Sequence, residues 1–283
     1  MPVSSIEQFW QDLTADIKSN RVTLPALPDI AIKTRALLED PKVTAAQIAK
    51  AISADVVLTT RLIRIVNSPL YRATAPIDNV KSAVTRLGNA NVRSVVTTIA
   101  VEQIYQDKLA SPLKRRLLQE NREHSMMVAA LSYFIAHRYT SINPEEAMLT
   151  GLIHDIGKLP ILEYAELYPD LTADEEALGR LLDILHPRVG VLVLRTWKFQ
   201  PEMIAAVGEH ENLQRDPPSD TGLTDVIIVA NLLSYVGSQH RYTQLDWSEI
   251  PAFRRLALTP EESIATMKTA REQIHGIKQL LAA

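Results

Sequence analysis

Apolar residues recur at helical spacing along almost the whole chain, and no alternating stretch flanked by hairpin turns interrupts them. The pattern predicts an all-α fold, helix packed on helix. The opening stripe is Ile6, Phe9, Trp10, Leu13 and Ile17, and it breaks at Leu24-Pro25-Ala26-Leu27-Pro28. Thr44 with Gln47 is a capping-box signature. Asp55 and Asp78 are expected to cap helices carrying Leu62, Ile63 and Val66, and Val80, Val84 and Leu87, with Gly88 ending the second in αL geometry. Asn67-Ser68-Pro69 reads as a helix stop, because proline pushes its predecessor out of helical geometry and Asn and Ser satisfy backbone groups locally. Up to about Leu109 the chain therefore reads as several short helices.

From Ser111-Pro112 the character changes to a long helix whose face runs Leu113, Leu117, His124, Val128, Leu131 and Ile135. The next helix opens at Asn143-Pro144-Glu145-Glu146 and is expected to finish near Gly157. Further helices are expected after Thr172 (with Glu175), His186-Pro187, Gln200-Pro201 and Asp220. The last opens at Thr259-Pro260-Glu261-Glu262 and carries Ile264, Met267, Ala270, Ile274, Ile277 and Leu281. The polar stretch from Gln214 to Thr221 is a soft boundary before a carboxy-terminal extension.

Composition narrows the chemistry. Cysteine is absent from the 283 residues, so neither a disulfide nor a thiolate metal site is available, and any metal must sit on His, Asp or Glu. Lys and Arg number 30 against 33 Asp and Glu, which gives nucleic-acid binding no electrostatic support. Lys114-Arg115-Arg116 lies in the first turns of a helix, where basic charge is expected to face water. No run approaches a membrane span and the first ten residues do not resemble a signal peptide, so a cytoplasmic location without a membrane partner is expected.

The sharpest chemical signal is Gly151-Leu152-Ile153-His154-Asp155-Ile156-Gly157-Lys158, an imidazole and a carboxylate side by side near the end of an apolar helix. Hard divalent cations accept the two ligand types together. His124 precedes this pair on the stripe of the long helix. His186 shares a face with Gly190, Leu194 and Trp197, and His210 extends the stripe of Met203 and Val207. Four helices thus each offer one inward-looking histidine. Taken singly, each reads more readily as a hydrogen-bonded core residue than as a ligand, and the coincidence of four shifts the balance. His137, His240 and His275 read as surface or helix-end residues. Arg61, Arg64 and Arg72 near the Asn-Ser turn are candidates for anion binding, against a solvated or salt-bridged helix face.

The order His124, His154-Asp155, His186, His210 resembles the HD superfamily of metal-dependent phosphohydrolases, and especially its HD-GYP phosphodiesterases. That resemblance implies metal ligation at His124, His154 and Asp155, further ligands at His186 and His210, a phosphate contact at Lys158, and a divalent transition metal such as iron or manganese. Two departures count against turnover. Glu211 stands where those enzymes carry a second histidine, and Asn231 stands where a late Asp is expected, so a cation loses a full compensating charge. The amino-terminal half decides the branch. Leu24-Pro25-Ala26-Leu27-Pro28, Ile52 to Thr59, Asn67-Ser68-Pro69-Leu70-Tyr71 and Ala83-Val84-Thr85-Arg86-Leu87-Gly88 resemble the HDOD family, an HD-related output domain, over roughly Leu24 to Ser234.

The expected organisation is an amino-terminal helix (1–23), an HDOD domain (24–220) divided into a helical subdomain (24–110) and an HD-like core (111–220), and a segment (221–283) that completes the core and extends it. The resemblance implies a bacterial signalling or regulatory module acting through association with a partner protein, without catalysis. The alternative is a metal-dependent phosphohydrolase or cyclic-dinucleotide-type phosphodiesterase, with a nucleotide or phosphate ligand. A third reading is a scaffold that forms a homo-oligomer through the last helix, whose apolar stripe must be covered by its own domain or by another copy.

Overall fold

The computed structural model describes residues 6–71, 75–105, 110–217 and 221–282, and these contain helices and no strand. In chain order the helices are α1 (Ile6–Lys18), α2 (Asp29–Leu37), α3 (Ala45–Ile52), α4 (Val56–Val66), α5 (Val80–Ile104), α6 (Pro112–Tyr139), α7 (Pro144–Ile153) and α8 (Lys158–Ala165). They continue as α9 (Pro169–Ala173), α10 (Glu175–Thr196), α11 (Pro201–Glu209), α12 (Leu223–Ser234), α13 (Pro251–Arg255), α14 (Pro260–Thr269) and α15 (Arg271–Ala282), with 3-10 turns at Arg241–Gln244 and Trp247–Glu249. None of the described helices is long and apolar enough to cross a membrane.

Local chemistry sets most helix starts. Asp55 accepts the Leu58 N–H at 2.8 Å and Asn143 that of Glu146 at 2.9 Å, Ser111 caps α6, and Thr44 and Thr259 form full capping boxes with Gln47 and Glu262. Each cap satisfies an amide that a helix start leaves open, worth about 1 kcal/mol. At α5 the cap is Asn79, not Asp78: Asn79 Oδ1 accepts the Ser82 N–H, while Asp78 holds the Asn79 amide in place. At α10 the cap is Asp174, not Thr172, which lies inside the short α9. Asp220 and Arg72 lie outside the described residues.

Three expected breaks fall differently. Gly88 has φ 75° and ψ 161°, a positive-φ kink outside the αL basin, after which helix resumes at once within α5. No helix begins at His186-Pro187, because α10 runs through Pro187. Proline there forfeits one backbone hydrogen bond, and buried Leu185, Val189 and Val193 on the same helix offset that loss. The last helix is two, α14 and α15, parted at Ala270.

Two apolar clusters form the interior. The smaller gathers α3, α4 and the first three-quarters of α5; the larger joins Ala100 and Val101 of α5 to α6–α8 and α10–α15. α5 is therefore a spine common to both. Across it lies α15, whose Ala270-side stripe of Ile274, Ile277 and Leu281 is buried on α6 and α5. Its own chain covers that stripe, each large side chain contributing about 1.5–3 kcal/mol relative to exposure. Arg61 reinforces the seam, giving hydrogen bonds to the carbonyls of Ile99 and Leu281, so it is not part of a solvated face. Lys114 also departs from expectation: it is buried between Glu163 and Glu166 of α8 rather than facing water.

Candidate metal centre

The His-Asp pair owes its position to two glycines. A Cβ on Gly151 would lie 2.8 Å from Ala129 Cα and 2.7 Å from Ser132 Oγ, so α7 can approach α6 this closely only without one. A Cβ on Gly157 would overlap the His186 carbonyl and lie 2.5 Å from the Gly190 amide nitrogen of α10. Helix α7 ends at Ile153, earlier than the expected Gly157, and the chain tightens through i→i−3 bonds from Ile156 to Ile153, Lys158 to Asp155 and Leu159 to Ile156. His154 and Asp155 thus occupy a tight turn pressed between α6 and α10, and both point inward.

The structure brings all four histidines of the sequence pattern to this turn. His154 Nδ1 donates to the Gly151 carbonyl at 2.7 Å, His186 Nδ1 to Leu182 at 2.8 Å, and His210 Nδ1 to Val207 at 2.9 Å. A carbonyl only accepts, so each Nδ1 carries the hydrogen and each neutral ring presents a bare Nε2. Those Nε2 atoms converge on Asp155. His186 and His210 stand 3.0 and 3.5 Å from Oδ1, His154 stands 3.5 Å from Oδ1, and His124 stands 3.8 Å from Oδ2. The Nε2 atoms of His124 and His154 are 3.2 Å apart, and those of His186 and His210 3.1 Å. Lys158 Nζ donates to Asp155 Oδ2 at 2.5 Å.

His154 and His210 are 0% exposed, and Asp155 and His186 are 2% exposed. Burial pushes the His124 imidazole down to about 4 and that of His154 well below its ordinary value. Burial also opposes charge on Asp155, but His154, Lys158 and His186 together hold its carboxyl well below the usual range. His210 goes the other way: burial resists its protonation, while the hydrogen bond to Asp155 and the charge of Glu211 raise it.

Three imidazoles whose Nδ1 hydrogens are committed to backbone carbonyls, around one buried carboxylate, make a donor set suited to a divalent transition metal. Among the described residues, two groups bring such ligand atoms within 4.8 Å of one another, His124 with His154 and Asp155, and Asp155 with His186 and His210. Asn231, in α12, is 1% exposed and sits at the rim, its Nδ2 3.4 Å from Glu211 Oε1 and its Oδ1 without a hydrogen-bond partner. Glu211 Oε1 in turn lies 3.5 Å from His210 Nε2, and its other oxygen accepts from Tyr242 Oη.

The periodicity gave no hint of the cover over this centre. Tyr235 stacks on His124 with ring centroids 5.0 Å apart, its Oη 3.4 Å from Nε2, and His240 stacks on Tyr235 at 3.7 Å. His240 is therefore half-buried in an aromatic stack and is not an idle surface residue, unlike exposed His137 and His275. A Tyr-rich segment following the Asn231 helix was the available signal: Tyr235, His240 and Tyr242 fall within eight residues of one another.

A helical fold with buried imidazoles and a carboxylate focused on one point defines a class, the helical proteins built around an HD-type centre. The HDOD domain family matches residues 24–213, and the chain belongs to that family. It is similar to a crystal structure from Shewanella amazonensis SB2B, provisionally named a metal-dependent phosphohydrolase, at 26% identity and a TM-score of 0.80 over 98% of this chain and 99% of that one. An HDOD domain protein of unknown function from Geobacter sulfurreducens matches with a TM-score of 0.71 at 22% identity, covering 98% of both chains. An uncharacterized Treponema pallidum (strain Nichols) protein is 22% identical over 257 residues, 86% of this chain and 48% of its own length, so the chain spans about half of that curated relative.

Proposed function

We propose that this chain is a regulatory HDOD module that works by association with a partner protein, and that its His/Asp centre holds a divalent transition metal as a fixed part of the fold. One observation carries the non-catalytic side of this reading. Four of the five converging side chains are 0–2% exposed, and the fifth, His124, has 16% of its side chain exposed beneath stacked Tyr235. A phosphodiester that must reach Asp155 meets a tyrosine and a second histidine first. A metal held by buried ligands stabilises the folded chain in proportion to its affinity, since the unfolded chain does not present the same site.

The second reading is a metal-dependent phosphohydrolase. It is favoured by Lys158, a cation beside Asp155 with 20% of its side chain exposed, and by the similarity to the Shewanella protein. In that case the ion supplies Lewis acidity, and Lys158 neutralises charge on the phosphoryl oxygens.

The test is to purify the full chain without chelator, measure its metal content, and follow both melting temperature and hydrolysis of bis(p-nitrophenyl) phosphate with manganese or ferrous iron. The expected result is bound metal, a fall in Tm on chelation and no turnover above the free ion. Hydrolysis that scales with occupancy and is lost in Lys158→Met would replace the regulatory reading with the second one.

A further inference from the structure

The two halves of the centre share Asp155 but differ in what already satisfies them. In the half formed by His124 and His154, Asp155 Oδ2 is taken by Lys158, and the Tyr235 hydroxyl lies 3.4 Å from His124 Nε2. His124 is also the one ring without a backbone carbonyl on Nδ1; its neighbour there is Ser234 Oγ at 3.4 Å, a hydroxyl that can donate or accept. His124 is thus free to carry its hydrogen on Nε2 and give it to His154 Nε2, 3.2 Å away. This half is satisfied by hydrogen bonds alone.

The half formed by His186 and His210 has no such escape. Both Nδ1 hydrogens are committed to Leu182 and Val207, so in the neutral rings two lone pairs face each other at 3.1 Å, with Asp155 Oδ1 at 3.0 and 3.5 Å. As neutral rings the two imidazoles and Asp155 Oδ1 turn three acceptors on one point, and a positive charge between them satisfies all three. Glu211 Oε1, 3.5 Å from His210 Nε2, brings a second carboxylate to the same side. A doubly positive ion therefore meets two carboxylates in this half, whereas in the other it meets an Asp155 oxygen already paired with the Lys158 ammonium.

Resting on the reading that the centre holds a divalent ion, we propose that it holds a single one, between His186, His210, Asp155 Oδ1 and Glu211, and that Lys158 keeps a second ion out of the His124 and His154 half.

The test is a titration of cobalt(II) into the chelator-treated full chain, read by its visible d–d absorption and by the metal-to-protein ratio, with circular dichroism confirming that each variant is folded. One equivalent is expected in the wild type. His210→Asn and Glu211→Gln should weaken it by more than the roughly 10–100-fold that loss of an outer partner costs, while His124→Asn leaves one ion bound. The Lys158→Met substitution, a gain that misfolding cannot imitate, should raise the ratio to two. Two ions in the wild type, binding that survives His210→Asn but not His124→Asn, or a Lys158→Met variant that stays at one ion would each overturn the assignment while leaving a metal-holding module intact. No ion in the wild type under any loading condition would remove the metal reading itself.

Discussion

Replacing Gly157 by alanine probes the contact that seats the His-Asp turn on α10. Gly157 has φ −64° and ψ −18°, a conformation alanine adopts freely, so the substitution carries no backbone strain and isolates packing. The added methyl would overlap the His186 carbonyl oxygen and stand 2.5 Å from the Gly190 nitrogen, against the 3.4–4 Å of ordinary contact. Both obstacles are backbone, so a whole helix must withdraw by roughly an ångström, and overpacking of this kind costs about 2–3 kcal/mol. Gly179→Ala is the matched control. It lies within α10 with nothing inside 4 Å of its Cβ position, and it should gain about 0.5–1 kcal/mol from helix propensity. Urea unfolding followed by far-UV circular dichroism should move the two variants in opposite directions, with Gly157→Ala losing roughly 5–10 °C in a thermal scan. If Gly157→Ala unfolds within about 0.5 kcal/mol of the wild type, as substitutions remote from packing contacts do, the close approach of the turn to α10 is wrong.

Two further outcomes follow from other parts of the fold. Asn67 brackets Ile77 with hydrogen bonds of 2.7 Å to both its N–H and its carbonyl, and also holds the Ile63 carbonyl at 3.0 Å; Asn67→Ala should cost about 1–2 kcal/mol in urea unfolding, and an unchanged midpoint would show that the bracket is redundant. Glu145 is 5% exposed, and burial raises its carboxyl above the ordinary range in the folded state. The folded chain then binds this proton more tightly than the unfolded one, so the group's contribution is fully present at low pH and lost as pH rises through the folded value. Glu145→Gln should accordingly gain stability relative to the wild type as pH rises from the ordinary carboxyl range, and a gap that narrows with rising pH would contradict the assignment.

The parts of the molecule legible in the sequence are those fixed within one turn of chain. Thr44, Asp55, Ser111, Asn143 and Thr259 cap because their side chains reach amides two or three residues ahead. The four histidines stood out because each interrupts an apolar stripe. Features that depend on another element did not show. Pro187 reads as a helix start, and only the burial of its neighbours on both sides explains a helix that passes through it. Lys114 reads as a solvated cation until α8 supplies Glu163 and Glu166. The Tyr235 and His240 cover follows α12 in a segment of 3-10 turns, where no periodicity marks which side chains turn inward. Burial of the α15 stripe required knowing that α5 and α6 leave room for it.

Each buried imidazole of the centre is aimed by a carbonyl three or four residues back on its own stretch of chain, Gly151 for His154, Leu182 for His186 and Val207 for His210. Ring orientation is therefore a private matter of each helix, while the spacing between rings is decided by how the helices pack. The cluster behaves as a gauge. Slide α10 or α11 along its axis and every ring keeps its pose, but the nitrogen-to-nitrogen separation changes with the displacement. A domain that docks against these helices and shifts one of them would register as a change at the centre without touching any side chain in it.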